Sequence, residues 1–282
     1  MDEKLGRMDQ RVILVTGATD GIGRQTALEL LRRGARVIVH GRNRAKTLQV
    51  VDELTRETGS ASVSPVFADL SSMAEVRRLA DDVSAQVDRL DVLVNNAGVF
   101  LHERVLTNDG FESTFAVNHL ATFLLTHLLL PKLELSTQGR IVTVSSIAHS
   151  RGKLDFSDLQ SERYFHGYTA YATSKLANVL FAYEMARRLS KSRVTSNALH
   201  PGVISTKLLK SGFGTTGASL VQGAATSVKL AVDPALDSVS GKYFADEREQ
   251  ASSATSHDRQ LQTRLYDISA ELLGITPLSA VD

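Results

Sequence analysis

The chain has no cysteine, which excludes disulfides, thiol nucleophiles and thiolate metal sites. It also lacks an excess of either charge: 32 Lys and Arg stand against 31 Asp and Glu, so no net field draws it to nucleic acid or to an anionic membrane. No segment reaches the ~18 consecutive apolar residues that a membrane-spanning helix requires. The richest stretch, Leu120 to Leu130, is interrupted by Thr122, Thr126 and His127. Met1 to Gln10 is charged, without the apolar run of a leader. These absences lead us to expect a cytoplasmic protein with no membrane and no nucleic-acid partner. The eight histidines form no metal-ligand spacing; His119 and His127, on one helix, read as packing residues, and no metal is expected. No internal repeat, low-complexity tract or linker appears, so the 282 residues read as one domain, 1–282.

What is present is an alternation of short apolar runs with helical patterns. The expected strands are Val12–Val15, Ala35–His40, Ser62–Ala68, Asp91–Val94, Arg140–Ser145 and Val194–Leu199, with Gly241–Phe244 as a last edge strand. Continuous apolar runs suit a parallel sheet covered on both faces, and the repeated strand-helix unit predicts an α/β fold: a single Rossmann-type doubly wound parallel sheet with helices on both faces. Ser72-Met73-Ala74-Glu75 has the capping-box pattern. Helices are expected over about 110–133 and 257–273, the latter stopping at Gly274. Residues 205–226, rich in Gly, Ser, Thr and Ala, suit either a mobile segment over a site or a plain surface loop.

Val12–Val15 runs directly into Thr16-Gly17-Ala18-Thr19-Asp20-Gly21-Ile22-Gly23 and then a helix. Glycines at such a turn let the backbone approach a pyrophosphate, and the helix N-terminus offers its free N–H groups to the anion. About twenty residues on, where an NAD site usually carries a carboxylate for the ribose 2′-hydroxyl, the chain has His40-Gly41-Arg42-Asn43-Arg44, with no acid between Glu29 and Asp52. A 2′-phosphate would be attracted by Arg42, so NADP(H) is preferred, with NAD(H) as the alternative.

Tyr171 and Lys175 are four apart in a long helical pattern and therefore share a face. A free phenol, with a pKa of about 10, exchanges protons poorly at neutral pH. A fixed cation beside it would lower that value, and Lys175 can supply one.

Thr16-Gly17-x-x-x-Gly21-x-Gly23, Asn95-Asn96-Ala97-Gly98, Ser146, Tyr171-x-x-x-Lys175 and Pro201-Gly202, in that order, resemble the short-chain dehydrogenase/reductase family. Asn118-His119-Leu120, Val144-Ser145-Ser146-Ile147-Ala148-His149, Ser174-Lys175-Leu176-Ala177-Asn178 and Gly241-Lys242-Tyr243-Phe244 are similar to its retinol dehydrogenase-like branch. The resemblance covers about residues 9–276. It implies hydride transfer between nicotinamide and a lipophilic carbonyl or alcohol substrate. Tyr171 would be proton donor or acceptor, and Ser146 would hold the substrate oxygen. Lys175 would lower the Tyr171 pKa and bond the nicotinamide ribose, and Asn118 would break its helix and orient a water beside the lysine.

For the cofactor the resemblance implies Gly17, Thr19, Gly21, Ile22 and Gly23 at the pyrophosphate. Arg42 and Asn43 would meet the 2′-phosphate, Asp69 and Leu70 the adenine, and Asn96, Ala97 and Gly98 the ribose. Pro201, Gly202, Val203 and Thr206 would meet the nicotinamide. Asp20, counted with the same loop, departs from the family: many NADP-using relatives carry a basic residue there, which leaves Arg42 as the main phosphate partner. Ser146 is preferred to Ser145 on the family pattern, since alternation allows only one to face the substrate. The insert of about 149–168 is expected to border the substrate entrance. Relatives pair into homodimers and homotetramers through the Tyr-Lys helix and the one before it. A rival reading is a non-catalytic NADP(H)-binding sensor or scaffold of the same fold.

Overall fold

The computed structural model describes residues 11–279; the charged stretch Met1 to Gln10 lies outside the described residues. One sheet contains β1 (Val12–Val15), β2 (Arg36–Gly41), β3 (Val63–Phe67), β4 (Val92–Asn95), β5 (Arg140–Val144), β6 (Thr195–His200), β7 (Tyr243–Ala245) and β8 (Arg248–Glu249). Its spatial order is β3-β2-β1-β4-β5-β6-β7-β8, parallel throughout except for the β7–β8 pair. The helices are α1 (Gly21–Arg32), α2 (Arg44–Thr58), α3 (Met73–Gln86), α4 (Ser113–Phe115), α5 (Ala121–Glu134), α6 (Gly167–Arg188), α7 (Lys207–Phe213), α8 (Leu220–Val232) and α9 (Arg259–Leu273).

Successive strand side chains point to opposite faces, and β1 shows both faces buried. Val12 and Leu14 join the core under α3, α5, α6 and α9. Ile13 and Val15 join the one under α1, α2 and α8. Each buried Val, Leu or Ile contributes roughly 1.5–3 kcal/mol relative to exposure, which is why the apolar runs are unbroken. Edge strand β3 departs from this rule: Val63-Ser64-Pro65-Val66-Phe67 has one fully buried residue, Val66, and its proline is tolerated because an edge has an unused N–H side. Since β2 and β3 lie on one side of β1 and β4 to β8 on the other, the order reverses between β1 and β4. A crevice opens there beyond the strands' carboxyl ends.

Several expectations are corrected. The helix expected over 110–133 begins at Ser113, because both carboxylate oxygens of Glu112 accept from the first-turn amides of Thr114 and Phe115. It then passes through a π-helical turn, Ala116–Leu120, before α5. Residues 205–226 are neither a plain loop nor unstructured: Thr206 caps α7, and Ser219 opens α8 with a full capping box. β7 is not the edge, since the short antiparallel β8 covers it. Ser72 caps α3 through Glu75 N–H at 3.4 Å, but the Glu75 carboxylate reaches Asp69 N–H instead of closing the box. Among the described residues one helical stretch, Ser113–Glu134, is long and apolar enough to cross a membrane, yet 83% of its apolar window is buried inside the protein.

Burial also sets a pH dependence. It pushes His40, His127 and His200 down from 6.5 to about 4 and His119 to about 3. The unfolded chain therefore binds more protons than the native one between those values and 6.5, so stability is fully present above pH 6.5 and is lost as pH falls toward 4. Each histidine should remove roughly 1.4 kcal/mol by pH 5.5. Urea midpoints are expected to be flat between pH 8 and 7 and to fall steeply from 6.5 to 5. A midpoint unchanged at pH 5.5 would contradict the assignment of these side chains as buried and neutral.

Candidate active site

The crevice holds a cavity of about 800 Å³ whose wall includes the β1–α1 turn, the β2 and β4 ends, the start of α6 and the loop after β6. At its floor the glycine turn leaves no room for side chains. A Cβ on Gly17, whose φ is +63°, would sit 2.9 Å from Ala97 Cα. One on Gly23 would clash with Gly17 O. The turn is braced from behind. Gly17 N–H donates to His40 Nδ1 at 3.1 Å, and His40 Nε2 bonds Ala68 O. Asn96 Nδ2 donates to Thr16 O at 2.8 Å. Thr16 Oγ1 accepts the N–H groups of Asn96 and Ala97. The Asn96 side chain thus braces the turn, and His40 and Thr16 are further bracing residues that motif reading passed over.

Most of the sequence-nominated residues line this cavity: Gly17, Thr19, Asp20, Gly21, Ile22, Gly23, Arg42, Asp69, Leu70, Asn96, Ala97, Gly98, Ser146, Tyr171, Lys175, Pro201, Gly202, Val203 and Thr206. Two are elsewhere. Asn43 caps α2, its side-chain oxygen accepting from Lys46 N–H at 2.9 Å. Asn118 lies under the floor, fully buried, where its amide bonds Val99 N–H at 2.7 Å, Val99 O at 3.0 Å and Ser174 Oγ at 2.9 Å. It sits in the π-helical turn, so the break in the helix is present. Its side chain ties the β4 loop to α6.

Asp20 caps α1 through Gly21 N–H and forms ion pairs with Lys46 at 3.3 Å and Lys207 at 2.6 Å. Burial opposes its ionisation, but Lys207, the Gly21 amide and Lys46 together hold its carboxyl below the ordinary value. The acid that departs from the family pattern is therefore neutralised locally. Arg42 is exposed at the end of β2 and makes no ion pair among the described residues. Neither Lys46 nor Lys207 was legible as part of the site, because their partner lies far along the chain.

At the other end, the two serines separate by what their hydroxyls touch. Ser145 Oγ donates to Lys175 O at 2.7 Å, whereas Ser146 Oγ accepts from Ala148 N–H at 3.2 Å and its side chain stands near enough to Tyr171 to draw the phenol pKa down. Tyr171 is 6% exposed. Burial pushes its phenol up to about 12, with Ser146 opposing. Lys175, fully enclosed, is pushed down to about 8 by burial and donates to Val144 O at 3.2 Å. Its Nζ lies 5.7 Å from the centre of the Tyr171 ring. The lysine therefore underlies the ring, and the lowered phenol pKa expected from the Tyr-Lys spacing is not produced by these protein groups. Gly98 packs close on Lys175 and Asn118: a Cβ there would stand 3.2 Å from Lys175 Nζ and 3.3 Å from Asn118 Oδ1. Around Ser146 and Tyr171 the wall is apolar, with Val99, Leu101, Val117, Ile147, Tyr168 and Leu208. Of the expected insert, 149–168, Tyr168 lines this cavity; Ile147 and Ala148, which also line it, precede the insert. Phe156 packs instead under Arg264.

Among the described residues no group of three His, Asp or Glu side chains could hold a metal ion. His119 bonds Ser269 Oγ, and His127 bonds Phe123 O and Tyr266 Oη.

Three comparisons agree with this geometry. A bovine (Bos taurus) retinol dehydrogenase 12 is 41% identical over 274 residues, which covers 94% of this chain and 87% of that protein. The crystal structure of an uncharacterized protein from Mycobacterium paratuberculosis superposes with a TM-score of 0.82 at 33% identity, covering 98% of this chain and 97% of that one. That of a short chain dehydrogenase from Escherichia coli CFT073 complexed with NADPH gives 0.71 at 30% identity, covering 84% and 97%. The sequence model of the short chain dehydrogenases matches residues 11–215, a span that contains the glycine turn, Ser146, Tyr171 and Lys175, and on that match and the near full-length likeness to a retinol dehydrogenase the chain belongs to the short chain dehydrogenase family.

Proposed function

We propose that this protein is an NADP(H)-dependent oxidoreductase that interconverts a lipophilic carbonyl compound and its alcohol at Ser146, Tyr171 and Lys175. The observation that carries the reading is that Ser146, Tyr171 and Lys175 line one cleft together with the glycine turn, whose bare backbone suits a pyrophosphate. The cofactor fits that turn: the close approaches at Gly17 and Gly23 leave bare backbone facing the crevice, and the first turn of α1 has N–H groups with no carbonyl four residues back to bond. Arg42 supports a 2′-phosphate at the ribose, as does the NADPH complex of the Escherichia coli relative. NADP(H), when bound, supplies the hydride chemistry.

The chain's own residues supply position and a proton. Tyr171 is the proton donor to a carbonyl oxygen during reduction and takes the proton back in oxidation; burial, which pushes its phenol up to about 12, opposes that exchange, so the role depends on the positive charge of Lys175 to offset it. Ser146 donates to that oxygen and fixes it within reach. Lys175, at about 8, carries most of its charge at pH 7 and offsets negative charge that develops on the phenol oxygen. Asn118 holds Val99 and Ser174 and so keeps Gly98 and α6 in register. Ile147 and Val203, 56% and 49% exposed, give the entrance an apolar rim suited to a lipophilic substrate.

A panel of lipophilic aldehydes and ketones with NADPH, followed at the nicotinamide absorbance, tests the reading. Turnover that favours apolar over charged carbonyls is the expected result. Tight NADPH binding with no turnover across the panel would instead favour a sensor or scaffold role.

A further inference from the structure

Ser146 leaves β5 and caps a short 3-10 turn, Ile147–Arg151, its Oγ accepting from Ala148 N–H at 3.2 Å. Its carbonyl accepts from the same neighbour twice: His149 N–H lies at 3.1 Å and His149 Nδ1 at 2.7 Å. The far ring nitrogen, Nε2, accepts from Ser253 N–H at 3.0 Å. A backbone N–H can only donate and a carbonyl can only accept, so both ring bonds require the neutral tautomer with its proton on Nδ1. The ring is 2% exposed and packs on Tyr243 at 4.9 Å between centres. Burial also holds its pKa below the ordinary histidine value.

The anchor beyond the ring is itself fixed. Ser252 Oγ bonds Tyr183 Oη at 2.7 Å and Ser256 Oγ at 2.6 Å. Ser256, fully buried, donates to Ser253 O at 2.6 Å. On the other side of Ser146, Ser145 N–H is bonded to Leu199 O at 2.7 Å. With the peptide held on both sides the Ser146 Cα–Cβ bond has one direction, and Ala148 N–H selects the rotamer.

We propose that His149 is a positioning residue for the reaction: by pinning the Ser146 carbonyl to the Ser253 segment it aims the Ser146 hydroxyl at Tyr171. The inference rests on the role of Ser146 proposed above. A misplacement of a reacting group by about 1 Å can cost as much as 10²-fold in rate, so a strut of this kind has a measurable effect without touching substrate.

The test is a double-mutant cycle in kcat and KM on the best substrate of the panel, with Ser146→Ala, His149→Phe and the double variant. Ser146→Ala should lower kcat by about 10²-fold, and His149→Phe by about tenfold with the KM for NADPH changed less than about twofold. In the Ser146→Ala background, His149→Phe should cost less than about twofold. His149→Asn, whose amide N–H can replace Nδ1–H but stops short of Ser253, and His149→Gln, placed to meet Ser253 but not the Ser146 carbonyl, should each lose activity, and full activity in either overturns the strut. That pair decides the matter if the phenylalanine variant does not fold. Equal losses in both backgrounds, or no loss with His149→Phe while Ser146→Ala is impaired, overturn the proposal alone. An unimpaired Ser146→Ala overturns the role of Ser146 as well. Independently of turnover, ¹⁵N NMR at pH 7, assigned with His149→Asn, should find the proton on Nδ1; a proton on Nε2 removes the strut.

Discussion

Tyr171→Phe is expected to lower kcat by roughly 10²–10⁴-fold, the range that one positioned proton donor contributes, while NADPH still binds within a few-fold of wild type. The substitution removes one oxygen and leaves the packing intact. The ring stands 5.6 Å from Phe100 and over Lys175 at 5.7 Å, contacts a phenylalanine reproduces. The loss would therefore fall on proton transfer, and not on the fold. Steady-state rates on the best carbonyl substrate, with NADPH affinity measured by nicotinamide fluorescence, separate the two effects. If the variant turned over within about threefold of wild type, Tyr171 would not be the proton donor.

The second large effect is on cofactor choice. Arg42→Glu should raise the NADPH dissociation constant about 100-fold or more and change that of NADH by less than about threefold. A hydrogen bond to a charged group is worth about 1.5–3 kcal/mol, and a carboxylate in the same place adds repulsion to the loss. Arg42 is exposed and has no ion pair among the described residues, so its charge is not already balanced within the protein. Asp20 does not compete for the phosphate, since Lys46 and Lys207 pair with it at 3.3 and 2.6 Å. Added salt should weaken NADPH binding to the wild type more than to the variant. Equal weakening of both dinucleotides would remove the 2′-phosphate from Arg42.

Much of this was legible in the residues. The strands were visible because a sheet covered on both faces demands unbroken apolar runs, as β1 and β4 have. The polar β6, Thr195–His200, was found by its place in the alternation, and its buried Asn197 serves Val239 O and Lys242 N–H in a way no local pattern reveals. The helix that starts late, at Ser113, and the two helices that begin within 205–226 were missed because each is fixed by a capping side chain whose choice among neighbouring polar residues depends on what surrounds it.

The sequence alone determined the strand-helix alternation, the glycine turn and the shared face of Tyr171 and Lys175, because each is a periodicity of a few residues and follows from backbone geometry. Only the tertiary structure decided that the Ser145 hydroxyl is committed to Lys175 O, that Lys175 lies beneath the ring, that Asp20 is neutralised, and that His149 ties the serine to Ser253. Those outcomes depend on partners such as Asp20 and Lys207, or His149 and Ser253, that lie more than a hundred residues apart. Hydrogen bonds and desolvation act through space, and only packing brings such groups within their range.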